Sequence, residues 1–283
     1  MNFPMKPDST VVEEKTRIGR VPTLVVRPAR RPLSPFGLLW IHGGGYITGM
    51  KEMVYMSRGA DFARDFGMTV FSPGYRLAWL HPYPAALEDC FSVLEYMHAH
   101  RQALGFRYIL VGGESAGGGL CAAVCMMARD RGIPISFQIP LYPMLSHLDT
   151  ESSRDNHGRV WNTRKNHLAW RVYLRGTAKR DVSPYASPAL QTDFRNLPPC
   201  YTFVGQGEPF YAETLQYAAR LRAAGVEAEA DVYPSDQHAF DMLDPDSPVS
   251  REAVRKLHAR METVLSDLLK KDEEKNDAKT EHF

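Results

Sequence analysis

The ten residues from Val111 to Leu120, VGGESAGGGL, set five glycines and an alanine around one serine, Ser115. Glycine is a poor helix former and leaves no side chain to pack, so the crowding needs another cause. Before it runs YILV (108–111), a short apolar strand; after it runs AGGGLCAAVCMMARD (116–130), a helix. A strand that turns at once into a helix strains the residue at the bend and requires small neighbours, here Gly113 and Gly117. Such a bend holds the Ser115 hydroxyl out at the carboxyl edge of a sheet, with a helix N-terminus behind it to favour negative charge. Ser115 therefore reads as a nucleophile.

A serine nucleophile needs a base, and the oxyanion it creates needs donors. The loop WIHGGGY (40–46) carries three consecutive glycines after an apolar strand, so bare amides can turn inward; Gly44 and Gly45, joined by the amide of Ala116, are the candidate oxyanion hole. His42 reads as an organiser of that loop, because it precedes the glycines and would compete with them for space. For a serine on such an elbow, an acid and then a histidine follow from loops after later strands. The strand EADVY (229–233) is followed by PSDQHAFD, which makes His238 the base; YTFV (201–204) is followed by GQGEPFYAE, which offers Glu208 and Glu213. Glu208 leads because it directly follows its strand, and Glu213, farther into the next helix, is the reserve. Asp236 and Asp241 stand too close to His238 in sequence to reach round its ring. Tyr46, Trp161, Phe210 and Tyr211 are candidates to line a substrate pocket, and each fits a core-packing role equally well.

The elements that must position these groups alternate. GLLWI (37–41), TVFS (69–72), YILV, FQIPL (137–141), YTFV and EADVY read as strands, and 51–66, 84–100, 116–130, 210–224 and 253–269 as helices, with Gly225 as a C-cap. Alternation of this kind predicts a mostly parallel sheet with helices on both faces, preceded by two short antiparallel strands in VVEEKTRIGRVPTLVVRP. Residues 145–199 break the rhythm, with one helix expected at 161–175 and no clear strand, as a lid or binding element would. A single domain over 1–270 with a small cap from 145–185 is expected, followed by a charged, frayed tail at 271–283.

Composition narrows the partners. The 283 residues are 44% apolar and 24% charged with a formal net charge of +1, which gives no reason to expect nucleic acid or an acidic membrane. The eight cationic residues between Arg154 and Arg180 read as a solvated face. Four cysteines (Cys90, Cys121, Cys125, Cys200) are too few and too irregular for a disulfide framework or a zinc site. The opening MNFPMKPDST lacks the apolar core of a signal peptide, and no apolar run approaches a membrane span, so a reduced cytoplasmic protein is expected.

HGGG (42–45), GESAG (113–117), YRLAWLHPYPAALEDC (75–90) and YPSDQHAFD (233–241), in that order, resemble the hormone-sensitive-lipase-like branch of the α/β-hydrolases, the bacterial carboxylesterases. The resemblance covers about residues 20–270. It implies the α/β-hydrolase fold, hydrolysis of short-chain acyl esters without cofactor or metal, and a triad of Ser115, Glu208 and His238. A homodimer is a further implication. The chain departs from the family in carrying Glu208-Pro209-Phe210-Tyr211-Ala212-Glu213 where the family has Asp-Pro-Leu-x-Asp-Glu. It also has few residues ahead of HGGG, which predicts a more open pocket. The same machinery would serve a deacetylase of acetylated carbohydrate or an amidase; a non-catalytic ligand-binding homologue is the reading from another class.

Overall fold

A computed structural model describes residues 6–280. Residues 1–5, half of the stretch read for a signal peptide, and 281–283, the end of the expected tail, lie outside the described residues.

Eight strands form one sheet: β1 (Val11–Ile18), β2 (Val21–Pro28), β3 (Phe36–Ile41), β4 (Thr69–Pro73), β5 (Tyr108–Glu114), β6 (Phe137–Leu141), β7 (Cys200–Gly205) and β8 (Ala228–Tyr233). Their order is β1-β2-β4-β3-β5-β6-β7-β8. β1 and β2 form an antiparallel hairpin, β2 is antiparallel to β4, and every later pairing is parallel. All residues of β3, β4, β6 and β7 are buried, as continuous apolar runs in a sheet covered on both faces should be. Pro140, in the middle of β6, has no N–H to donate, and the recorded register of β6 with β7 is confined to Gln138 and Cys200.

The helices are α1 (Arg58–Phe66), α2 (Ala85–Ala99), α3 (Ala116–Asp130), α4 (Thr163–Tyr173), α5 (Tyr211–Ala223), α6 (Phe240–Leu243) and α7 (Pro248–Thr280). Leu87, Phe91 and Leu94 of α2 pack with Leu120 and Val124 of α3 on one face of the sheet. Phe62 of α1 packs with Leu257 and Met261 of α7 on the other. Gly225, at φ 78, follows the last turn of α5 and reverses the chain toward β8.

One expectation needs correction. The helix expected over 51–66 is a 3-10 turn at Lys51–Tyr55 and a separate α1, divided at Met56 and Ser57. The charged tail is helical as far as Thr280, consistent with its Lys, Glu and Ala content, and Asp272 meets Arg107 at 3.5 Å. The 145–185 excursion packs on the body of the fold through its helix. Ala169, Trp170, Val172 and Tyr173 of α4 join the same apolar cluster as Tyr46, Ala116 and Leu120. Asn162 caps that helix by accepting from the Lys165 amide at 3.1 Å.

Candidate active site

Ser115 occupies the bend between β5 and α3 with φ 58 and ψ −120, a conformation that non-glycine residues rarely adopt. The glycines around it answer to close approach. A Cβ on Gly117 would stand 2.0 Å from the Ile41 carbonyl oxygen; one on Gly113 would stand 2.5 Å from the same atom. Gly112 faces the Trp40 ring, Gly118 faces Pro143, and Gly119 faces the Met144 carbonyl and the Tyr46 hydroxyl. The bend is fixed by the Ser115 amide donating to Leu141 at 3.0 Å and the Met144 amide donating to the Ser115 carbonyl at 2.9 Å. Strain at one residue is thus held by contacts on every side.

His238 follows β8 and brings Nε2 to 2.9 Å from Ser115 Oγ. Its Nδ1 is bonded to the Glu208 carboxylate, which follows β7. A carboxylate at Nδ1 fixes the tautomer: Nδ1–H donates to Glu208, and Nε2 accepts from the serine hydroxyl. The second Glu208 oxygen accepts the Gly205 amide at 2.8 Å. Burial pushes the Glu208 carboxyl above its ordinary range, while His238 and the Gly205 amide pull it back toward the ionised form. Phe210 and Tyr142 meet the imidazole edge-on, with centroids 5.0 and 5.2 Å away. Trp161 stands 6.5 Å from it.

The glycine loop lies against the serine. The point where Gly43 would carry a Cβ is 3.2 Å from Ser115 Cβ. Gly44 at φ 109 and Gly45 at φ 60 take conformations that favour glycine, and the Gly44 carbonyl turns back to accept the amides of Ile47 and Thr48. Among the described residues, the amides of Gly44, Gly45 and Ala116 donate to no protein acceptor. His42 is buried with its ring stacked on Tyr75 at 4.1 Å, and its Nδ1–H donates to the Gly43 carbonyl at 2.8 Å. Burial lowers its pKa to about 4, which keeps it neutral. The Tyr75 hydroxyl donates to the His42 carbonyl at 3.0 Å, so the pair braces the loop from behind.

Other candidates sort by contact. Glu213 accepts the Leu145 amide at 2.8 Å and anchors α5 to the chain after β6, away from His238. Burial pushes its carboxyl well above the usual range. Tyr46 belongs to the core: it stacks on Tyr173 at 4.0 Å and donates to the Met144 carbonyl at 2.9 Å. Tyr211 packs on the cluster that holds Tyr142 and Phe203. Trp161 and Phe210, 6.5 Å apart, stand beside the imidazole. Ser115 is 7% exposed and His238 4%, so both side chains sit below the surface.

Two groups behind the imidazole escaped the sequence reading. The Tyr142 hydroxyl donates to Asp241 at 2.8 Å, and Arg58 Nε lies 3.6 Å from the other Asp241 oxygen. Burial raises the Asp241 pKa, opposed by Arg58 and Tyr142. Asp241 does not reach round the ring of His238; it reaches the tyrosine that packs on it. The signal for Tyr142 lay only in its position just after β6, at the same sheet edge as Ser115.

A strained serine at the end of a central parallel strand, with its histidine and acid delivered by later strands, defines an α/β-hydrolase. The alpha/beta hydrolase fold family matches residues 38–242. The chain belongs to this family, in its hormone-sensitive-lipase-like carboxylesterase group. It is similar to the carboxylic ester hydrolase LipN of Mycobacterium tuberculosis, 33% identical over 78% of this chain and 61% of that protein. The ethyl acetate hydrolase of Pseudomonas putida is 28% identical over 80% of this chain and 73% of its own length. Among solved structures, a bacterial heroin esterase superposes with a TM-score of 0.81 at 33% identity, covering 87% of this chain and 82% of that one. The match to LipN spans under two thirds of that relative's length. Among the described residues, no helix is long and apolar enough to cross a membrane.

Proposed function

We propose that the protein is a serine carboxylesterase that hydrolyses short-chain acyl esters through Ser115, His238 and Glu208. The observation that carries this reading is the bridging imidazole, 2.9 Å from the serine oxygen on one side and bonded to a buried carboxylate on the other. Ser115 Oγ attacks the ester carbonyl as His238 takes its proton. Glu208 holds the ring in the right tautomer and stabilises the imidazolium that forms. The amides of Gly44, Gly45 and Ala116 receive the oxyanion, their donors aimed before charge develops. His238 then gives its proton to the leaving alcohol, and water enters by the same route to release the acid and free the serine.

Trp161 and Phe210 wall the substrate pocket, with residues 145–185 as its cap, and their crowding around a buried serine favours small acyl groups. The relative named as a carboxylic ester hydrolase supports ester substrates, and the one named as an ethyl acetate hydrolase supports a small acyl group. Four buried, unpaired cysteines suit a reducing cytoplasm, and β8, one of the two edge strands, is the edge through which two copies would pair as a homodimer. A panel of p-nitrophenyl esters from acetate upward tests the reading: turnover is expected for acetate and butyrate and falls with longer chains. Failure to hydrolyse any member would overturn it.

A further inference from the structure

Glu114, between the glycine and the serine of the bend, has no part in the steps above. It is 2% exposed, and neither of its carboxyl oxygens has a hydrogen bond of ordinary geometry, the Gly43 amide being a donor close by. Its carbonyl oxygen and Cγ lie 3.0 and 3.5 Å from the point where Gly43 would carry a Cβ. The side chain therefore fills the space beneath the first glycine of the oxyanion loop, one residue from the nucleophile.

The titratable groups facing it come from four places: Asp241 of α6, Arg58 of α1, Tyr142 after β6 and Tyr75 after β4. The Trp40 indole N–H is also near, but donates to Ser57 at 2.8 Å. Arg58 is the one cation of this set, and it is drawn on by Asp61 at 3.1 Å and Asp241 at 3.6 Å. One guanidinium thus serves several carboxyl groups, of which Asp241 and Glu114 are buried.

We propose that Glu114 is a positioning residue for the ester reaction: its side chain, packed beneath Gly43, supports the oxyanion loop from below and sets how much negative charge faces the developing tetrahedral oxygen. This rests on the esterase reading. Burial, with Asp241 adding to it, pushes the Glu114 carboxyl up to about 8 against the pull of the Gly43 amide, Arg58 and the Trp40 indole, so it holds its proton through neutral pH. Loss of that proton places an anion behind Gly43 at low dielectric, where it opposes the oxyanion that the loop amides must stabilise.

The test is kcat and KM for p-nitrophenyl acetate against pH, corrected for spontaneous hydrolysis, in wild type, Glu114→Gln and Glu114→Asp. Wild-type kcat is expected to fall as pH rises through about 8, with KM little changed. Glu114→Gln, which cannot ionise, lowers kcat about threefold at neutral pH but removes the basic limb, so one unit above the midpoint it outpaces wild type by about threefold. Glu114→Asp keeps a limb with a displaced midpoint, and decides the matter if the glutamine variant does not fold. An infrared band of a neutral carboxyl, lost across the same pH range in wild type and missing in Glu114→Gln, reports the proton directly. A basic limb unchanged in both variants, or a uniform loss of kcat at every pH, overturns this inference and leaves the esterase reading standing. A wild-type protein inert toward all esters overturns both.

Discussion

Trp161 meets Gly45 so closely that a Cβ on the glycine would stand 2.2 Å from the far edge of the indole. The indole is itself held, its Nε1 donating to the buried Asn166 at 3.3 Å. The indole, a wall of the proposed pocket, therefore rests directly on the loop that carries the proposed oxyanion donors. Gly45→Ala forces the two apart, and since one lost oxyanion donor costs ~10²–10³ in rate, kcat is expected to fall by about tenfold or more. Adding Trp161→Ala removes the collision and restores part of the loss. A double-mutant cycle on kcat/KM reads the coupling, expected to exceed about 0.5 kcal/mol; independent effects would mean that the indole and the loop do not communicate.

Replacement of Ser115 by alanine removes the proposed attacking atom and leaves the fold, because the bend is held by backbone bonds to Leu141 and Met144. Turnover of p-nitrophenyl butyrate is expected to fall to the background of the assay while the circular dichroism spectrum is unchanged. A fluorophosphonate probe should label the wild type and spare this variant. Labelling of both would place the nucleophile elsewhere.

The two buried glutamates should separate by kinetics. Glu208→Gln deprives the imidazole of the carboxylate that fixes its tautomer, and a loss approaching ~10⁴ in kcat is expected. Glu213 anchors a backbone amide and is pushed toward its neutral form, so an isosteric amide replaces it with little change in charge. Glu213→Gln is expected to keep kcat within about tenfold of wild type and to register chiefly as a change in melting temperature. Comparable kinetic losses in the two would reopen the assignment of the acid.

His42 predicts a pH dependence of stability. Its pKa falls from 6.5 to about 4 on folding, so in that window the unfolded chain binds the proton that the folded protein refuses. The contribution is fully present above pH 6.5 and is lost as pH falls toward 4, on the order of 3 kcal/mol in all. The raised carboxyls Glu114, Glu208, Glu213 and Asp241 slope the other way, their contribution lost as pH rises. Urea unfolding of wild type and His42→Gln at the two ends of the window isolates the histidine. The variant should start less stable and decline less, and parallel declines would contradict the assignment.

The strands around the site were legible because each is a short apolar run bounded by turn residues. TVFS (69–72) falls within Thr69–Pro73, and FQIPL coincides with Phe137–Leu141. β5 runs on to Glu114 because Gly112 and Gly113 continue its pairing with β3; glycine obscured that continuation. The serine, histidine and Glu208 could be chosen because each stands at the end of a parallel strand, where loops gather on one edge. Tyr142, Arg58 and Glu114 were not legible, since their roles depend on contacts between distant elements that no periodicity encodes. Asp241 was set aside for being too near His238 in sequence, and the structure gives it a partner in Tyr142 instead. Tyr46 was ambiguous for a related reason: an aromatic ring beside a glycine loop suits a pocket or a core, and only its stack on Tyr173 decides.

The histidine hangs from the rim of the sheet. β8 is an edge strand and within one chain pairs with β7 alone, held from outside by Lys256 on Asp231 and Arg260 on Glu229, whereas the serine follows β5, which lies between two paired neighbours. Peeling of that rim withdraws the imidazole while the inner strands keep their registers. Warming therefore silences the protein before it melts, and cooling from that stage returns activity without refolding the interior.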